Sequence, residues 1–172
     1  VFSLSGGHLA KRLEHLDPDM EGRLAVYTVV LEAIGDAPWL GTGYGSFPDV
    51  FPLYRDGTVK QTARWQKAHN TYLENALELG VPAAGALCLA IAACARTCWL
   101  GIGRRRRHRV YPMVGLAATA AVAAHSVVDF SLQIPAVSYA FAFLLGIGCA
   151  QSFPSRPRTS RSTAAAAGEV TP

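Results

Sequence analysis

Charge is what this chain has little of, and the shortage is uneven. Only 16% of its 172 residues are Asp, Glu, Lys or Arg, against roughly 25% in an average soluble domain. Between Leu79 and Leu100 the single charge is Arg96, and between Tyr111 and Pro154 it is Asp129. Cysteine is limited to Cys88, Cys94, Cys98 and Cys149, all in apolar stretches. Cys94 and Cys98 stand one helical turn apart, but the further donors of a zinc site are missing, so they read as buried thiols. No basic n-region, apolar h-region and cleavage site opens the chain, and its first residue is Val1 rather than Met. The expectation is therefore a C-terminal piece of a longer protein whose earlier spans lie upstream.

What fills the charge-poor regions is hydrocarbon. Three apolar stretches run over residues 79–103, 111–128 and 132–150. Each is close to the ~20 residues needed to cross about 30 Å of bilayer interior. They are rich in Ala and Gly, which lets helices approach closely, and they lack the polar stripe of a soluble amphipathic helix. The expected fold is all-α: a polytopic helical membrane protein with about three transmembrane helices behind a large extramembrane segment, residues 1–78. Between the first two stretches stand Arg104, Arg105, Arg106, Arg107, His108 and Arg109, and the tail adds Arg156, Arg158 and Arg161. Basic clusters beside spans mark the cytoplasmic side. Three spans put loop and tail on the same side, so 104–109 and 151–172 are expected in the cytoplasm and 1–78 across the membrane. Residues 1–78 hold seven Lys or Arg against ten Asp or Glu, without a basic excess. Topology accounts for the arginines, so no nucleic-acid role is expected. The Ser-, Thr-, Pro- and Ala-rich tail 151–172 is expected to be disordered.

In the long segment, Asp17-Pro18-Asp19 resembles a helix start, with Asp17 as N-cap and Pro18 at the first helical position. Leu24, Tyr27, Leu31 and Ile34 recur at helical spacing and predict one apolar face, with Gly35 and Pro38 ending the helix. Gly41-Thr42-Gly43-Tyr44-Gly45-Ser46-Phe47 follows. Three alternating glycines imply a tight turn or close contact with something large. A dinucleotide loop is excluded because the preceding element is helical rather than a strand. Phe51, Tyr54 and Trp65 lie among Arg55, Lys60, Arg64 and Lys67, a mixture suited to a membrane-interface belt or a saccharide surface. Thr71 and Glu74 match the S/T-x-x-E capping box and predict a helix opening at Tyr72, so His69 and Asn70 precede a helix N-terminus, where an anion is favoured. Gly80 and Pro82 mark a bend into the first span. His125 and Asp129 are four apart, a helical spacing that brings them to one face. They line either a functional cavity or a local hydrogen bond. Pro135, inside the third stretch, is expected to kink it.

Taken together these pieces resemble the C-terminal part of the O-antigen ligase and polymerase-like membrane family, a GT-C-like helical architecture. The resemblance rests on Arg23 in its helix, Pro38 followed by Gly41 to Phe47, His69-Asn70-Thr71-Tyr72-Leu73-Glu74, Glu78-Leu79-Gly80, and His125-Ser126-Val127-Val128-Asp129-Phe130 with Pro135. It spans about Gly22 to Gly148. It implies a glycosyltransferase of the bacterial inner membrane whose large periplasmic loop handles a polyprenyl-diphosphate-linked glycan. The glycan passes to lipid A-core in ligases, to a growing glycan in polymerases, or to a protein hydroxyl in some relatives. No nucleotide sugar, ATP or metal is implied. By motif, Arg23 corresponds to an essential arginine and His69 to an essential histidine, while a second arginine belongs to an upstream loop.

On that resemblance Arg23 would clamp the leaving diphosphate with paired donors. Histidine as a residue type exchanges protons near neutral pH, so His69 would deprotonate the acceptor hydroxyl or sit on the diphosphate. The two roles stay open. Arg64, Asn70, Tyr72, Glu74, His125 and Asp129 are the further candidates for substrate contact, with Asn70 and Glu74 orienting His69 or closing the cap. A transporter for lipid-linked glycan and a non-catalytic scaffold are the alternatives. Neither needs Arg23 and His69 as chemical groups.

Overall fold

The computed structural model describes residues 16–55, 65–104 and 108–153, with side chains from Gly22 onward. Arg64, Arg105 to Arg107 and the tail from residue 154, on which expectations were placed, lie outside the described residues. Among those residues every element is helical: α1 Leu16–Asp36, α2 Phe47–Tyr54, α3 Thr71–Leu79, α4 Val81–Arg104, α5 Val110–His125, a 3₁₀ turn Ser131–Gln133, and α6 Pro135–Ser152.

α1, α2 and α3 share a small core. Val26, Val29, Val30, Ala33 and Ile34 of α1 bury against Phe47, Phe51, Ala68 and Leu77. The spacing 26, 29, 30, 33 is one helical stripe. Each of the fully enclosed Val26, Val30 and Phe47 contributes about 1.5–3 kcal/mol over exposure. The expected face is half of the observed one: Ile34 is in this core and Tyr27 is half-buried, whereas Leu24 and Leu31 are 58% and 56% exposed. α1 carries two apolar stripes, and the β-branched one packs inward. The helix also runs through Gly35 to Asp36 rather than stopping before it.

The α3 cap sits one residue earlier than the capping-box pattern implied. Asn70, in extended conformation, accepts from the amides of Tyr72 and Leu73, satisfying two of the donors that a helix start leaves unpaired. Thr71 is already helical. Glu74 turns away from the cap and accepts from the amide of Ala68 and from Lys67 Nζ, both at 2.9 Å.

Gly80 does break the chain between α3 and α4, at φ 81°. Here the glycine-rich loop finds its partner, which is the α3–α4 elbow. Thr42 and Gly43 donate backbone hydrogen bonds to Leu77 and Glu78, and Val81 donates to Pro38. The buried Glu78 carboxylate accepts from the amide of Phe47 at 3.2 Å. A Cβ on Gly41 would stand 2.6 Å from the carbonyl of Glu78, and one on Gly80 would stand 2.7 Å from the carbonyl carbon of Trp39. The two glycines let two backbones touch.

α4 and α6, of 24 and 18 residues, are long and apolar enough to cross a membrane, spanning about 36 and 27 Å at 1.5 Å per residue. Only 11% and 22% of their apolar windows are buried, which is not how the core helix of a soluble domain behaves. Leu89, Trp99, Tyr139 and Phe143 point outward, each more than 60% exposed. α5 is apolar but has 16 residues, ending at His125 rather than at 128. Ser126 to Val128 continue as turns, so the second stretch makes a shorter helix than its hydropathy implied. Pro135 does not kink α6. It occupies the first turn of the helix, where its missing N–H is not needed. The three helices meet at small residues: a Cβ on Gly115 would come within 3.3 Å of Gly148 Cα, and Gly101 lies against Ser152, the close approach that Gly-rich spans permit.

Candidate functional site

Where α5 ends, the chain turns through residues 126–130, and most of that turn's carbonyls are occupied from α1 or the start of α3. Ser126 O accepts from the amide of Thr71 at 2.9 Å. Val127 O accepts from Asn70 Nδ2 at 3.0 Å and, at 3.5 Å, from Tyr27 Oη. Val128 O accepts from Arg23 Nη1 at 3.0 Å, and Asp129 O from Thr71 Oγ1 at 2.9 Å. Tyr72 Oη reaches back to Ala123 O at 2.9 Å, covering a carbonyl that the helix end leaves free.

His69 lies between these contacts, with a left-handed backbone of φ 53°. A non-glycine residue holds that region at a cost of order 1 kcal/mol or more. The neighbours fix it: Ala68 N is bound by Glu74, His69 O accepts from Tyr27 Oη at 2.9 Å, and Asn70 and Thr71 are bonded to the turn. The His69 ring meets Trp65 and Phe130 edge-on, at centroid distances of 5.7 and 5.1 Å. Its Nδ1 faces Asp129 Oδ1 at 3.7 Å. That is ion-pair range and longer than a hydrogen bond. Nε2 has no hydrogen-bond partner among the described residues.

Asp129 holds a second imidazole. His125 Nε2 lies 3.8 Å from Asp129 Oδ2, while His125 Nδ1 pairs with Ser131 Oγ at 2.5 Å. The two residues meet because the chain turns after His125, not because a helix continues to 129. The amide of Phe130 donates to Asp129 Oδ1 at 2.8 Å, which fixes the carboxylate between the rings. Ser131, His125, Asp129 and His69 thus form one polar row.

Of the residues singled out beforehand, Arg23, His69, Asn70, His125 and Asp129 come together here. Beyond Val128 O, the remaining N–H groups of Arg23 have no partner among the described residues, so most of its fork of donors stays available. Tyr72 is part-exposed but committed to Ala123. Glu74 is a correction as a substrate contact: it is fully buried and both oxygens are taken, so of the roles expected for it only the shaping of the His69 segment agrees with its bonds. Arg64 lies outside the described residues. Tyr27, Thr71 and Ser131 were missed as site residues. Tyr27 was legible, since it follows Arg23 by four and therefore shares its helix face. Thr71 and Ser131 carried no such signal.

A family model described as O-antigen ligase matches residues 2–89. The chain belongs to the O-antigen ligase family. The match covers 88 of 172 residues (89 − 2 + 1) and takes in Arg23, the Gly41–Gly45 loop, His69, Asn70 and the start of α4. His125 and Asp129 lie beyond it. No curated protein matches, and no solved structure does. Membership makes this a membrane-associated helical protein of O-antigen ligase or polymerase-type glycan assembly, with glycosyltransferase-like activity and lipid-linked glycan and acceptor as its general partners.

Proposed function

We propose that the chain carries part of a metal-independent site that transfers a glycan from a polyprenyl-diphosphate donor to a hydroxyl acceptor, lipid A-core in a ligase. In this reading residues 1–78 face the periplasm of the bacterial inner membrane. The spans follow at 79–103, 111–128 and 132–150, adjusted to the helix ends given above, and 104–109 and 151–172 are cytoplasmic. The observation that carries the reading is the convergence of α1, the start of α3 and the end of α5 on one turn. This convergence brings Arg23, His69 and Asp129 to the same end of the helical bundle.

The acceptor O–H proton passes to His69 Nε2 as the acceptor oxygen attacks the anomeric carbon. The bond from that carbon to the donor phosphate oxygen breaks, and the diphosphate leaves with the electron pair. The free donors of Arg23 neutralise the charge that grows on the leaving oxygens. Asp129 beside Nδ1 stabilises the imidazolium as it forms, following the logic of a carboxylate-oriented general base. That arrangement favours His69 as base over His69 as a diphosphate ligand, because a carboxylate 3.7 Å from the ring repels an anion.

The test is transfer of a labelled polyprenyl-diphosphate glycan by variants held at normal membrane level. Arg23→Ala and His69→Ala are each expected to abolish transfer, and Asp129→Asn to reduce it less. Normal transfer by either alanine variant would sink the assignment and favour a transporter or scaffold.

A further inference from the structure

The connection between α1 and α2 carries no Asp, Glu, Lys or Arg from Ala37 to Pro48, and it turns its large apolar side chains outward. Trp39 is 76% exposed, Leu40 88% and Tyr44 78%. Apolar side chains left in water forgo the gain that burial brings, and no charge in the stretch holds them there. The backbone, by contrast, is satisfied from within. Gly41 donates to Ala37 O, Thr42 to Leu77 O, Gly43 to Glu78 O and Ser46 to Gly43 O, and Thr42 Oγ1 pairs with Ser46 Oγ at 2.6 Å. Amides paired in this way are what a segment needs where water is scarce.

The elbow sets where this loop stands. Val81, the first residue of α4, donates to Pro38 O at 2.8 Å, and Gly80 lies against the carbonyl of Trp39. Trp39 and Leu40 therefore begin level with the first turn of α4. The depth of that turn follows from the helix's other end. Ala84 stands about 30 Å back from Arg104 at 1.5 Å per residue, which is the full thickness of a bilayer's hydrocarbon. Arg96, inside that length, has a stem that carries its charged head toward the Arg104 boundary. Val81 lies about 4.5 Å beyond Ala84, within a headgroup layer of roughly 5–7 Å on each side. Tryptophan is enriched in that layer. The loop thus adjoins the end of a helix whose own side chains, Val81 and Leu89 among them, are exposed along the bilayer.

We propose that Trp39 and Leu40 enter the headgroup layer on the side away from Arg104 and anchor the glycine-rich loop to the lipid surface. The proposal rests on the reading above only in that α4 crosses the bilayer; the chemistry of Arg23 and His69 takes no part in it. The anchor bears on the site through α3. That helix is bonded to the 126–130 turn at its start and to the loop at its end, so fixing the loop in the interface fixes the level of the helix that follows His69.

The test uses the whole protein labelled with fluorotryptophan, in phosphatidylcholine nanodiscs, read by fluorine NMR. Trp39→Phe and Trp99→Phe assign the two signals by their disappearance. Trp99, exposed on α4 near Arg104, reports whether that helix is in lipid. Three reagents are compared: a phospholipid with a nitroxide on its headgroup, one with a nitroxide near the end of its acyl chain, and a water-soluble gadolinium chelate. The Trp39 signal is expected to be broadened several-fold more by the headgroup nitroxide than by the chain-end one, and Trp99 to be broadened by lipid nitroxide. Leu40→Asp, at a position that packs against little, should weaken the headgroup effect on Trp39 and strengthen that of the chelate, leaving Trp99 as it was. A Trp39 signal broadened by the chelate alone would place the loop in water and overturn the proposal. One left sharp by all three reagents would show that protein covers it, which overturns the proposal equally, and neither result needs the Leu40 variant to fold. If Trp99 also escapes both lipid nitroxides, the spanning of α4 fails as well; if Trp99 is broadened by lipid and Trp39 is not, only the anchor fails. His69→Ala should leave both signals unchanged, which separates the anchor from the transfer chemistry.

Discussion

Replacing Gly41 by alanine tests whether the glycine-rich loop is a weld between two backbones. Two penalties add. Gly41 sits at φ 66°, a left-handed conformation that costs an alanine roughly 1–2 kcal/mol. The new Cβ would also stand 2.6 Å from both the carbonyl carbon and oxygen of Glu78, and against the amide nitrogen of Gly80. Those are main-chain atoms held by α3 and α4, so no side chain can swing aside. Overpacking of that kind costs about 1–3 kcal/mol. The sum is roughly 2–5 kcal/mol, or about 4–20 °C in unfolding midpoint at ~2–4 °C per kcal/mol for a chain of this size. Gly43 and Gly45 are internal controls, since they share the positive φ (105° and 80°) but a Cβ on either meets nothing within 4 Å. Their alanine variants should show the conformational penalty alone. The assay is thermal unfolding of the three variants in detergent, with hydrogen exchange at the amides of Thr42 and Gly43, whose bonds to Leu77 and Glu78 the displacement would open. If Gly41→Ala melts with Gly43→Ala, and those amides stay protected, the close approach does not hold the loop and the reasoning is wrong.

Asn70→Ala should lose about 1 kcal/mol of capping together with the bond to Val127 O. Asn70→Asp keeps the cap and loses only that bond, so it should melt near the parent and transfer poorly; equal transfer would show that the link to the turn is idle. Glu74→Ala strands the buried amide of Ala68 at a cost of roughly 1–3 kcal/mol, whereas Glu74→Gln keeps an acceptor and should lose less, as chemical unfolding would reveal. The phenol of Tyr54 is raised above its usual 10.0, first by its hydrogen bond to the Asp36 carboxylate and then by burial and nearby negative charge. The folded state therefore holds that proton more tightly than the unfolded state. The stabilisation is complete below the ordinary phenol range and disappears as pH climbs through the raised value. Asp36→Asn should bring Tyr54 ionisation back down in a tyrosinate absorbance titration read against Tyr54→Phe, and an unmoved titration would refute the cause.

Much of the architecture was legible because charge sorting and helical period are local properties. The apolar runs around Cys88, Gly115 and Leu145 announce helices without reference to anything distant. The inward face of α1 was legible only at Ile34: residues 24 and 31 and residues 26, 29, 30 and 33 both make apolar stripes, and only the presence of Phe47 and Leu77 decides which is buried. The cap was misplaced by one residue because Asn70 and Thr71 are both capable of the role, and Asn70 alone adopts the extended backbone that it requires. Arg23 and His69 were found through resemblance, but what brings their elements together is a set of bonds to residues about 57 to 105 positions away, beyond the reach of any periodicity. The pairing of His125 with Asp129 was foreseen from helical spacing, yet the helix stops at His125 and a turn does the work.

The turn after α5 is gripped by its carbonyl oxygens, and this divides the freedom to mutate unequally across the contact. Arg23, Tyr27, Asn70 and Thr71 contribute side-chain donors, so their identity matters. Val127 and Val128 contribute main chain, and their side chains are half in the open. In a saturation library, positions 127 and 128 should accept most residues except proline, whose missing amide would break the turn's own bonds to Ala124 and His125. Positions 23, 27, 70 and 71 should accept few. The information that docks the two halves of this chain is therefore written on one partner only, and the other can drift in sequence while the joint stays closed.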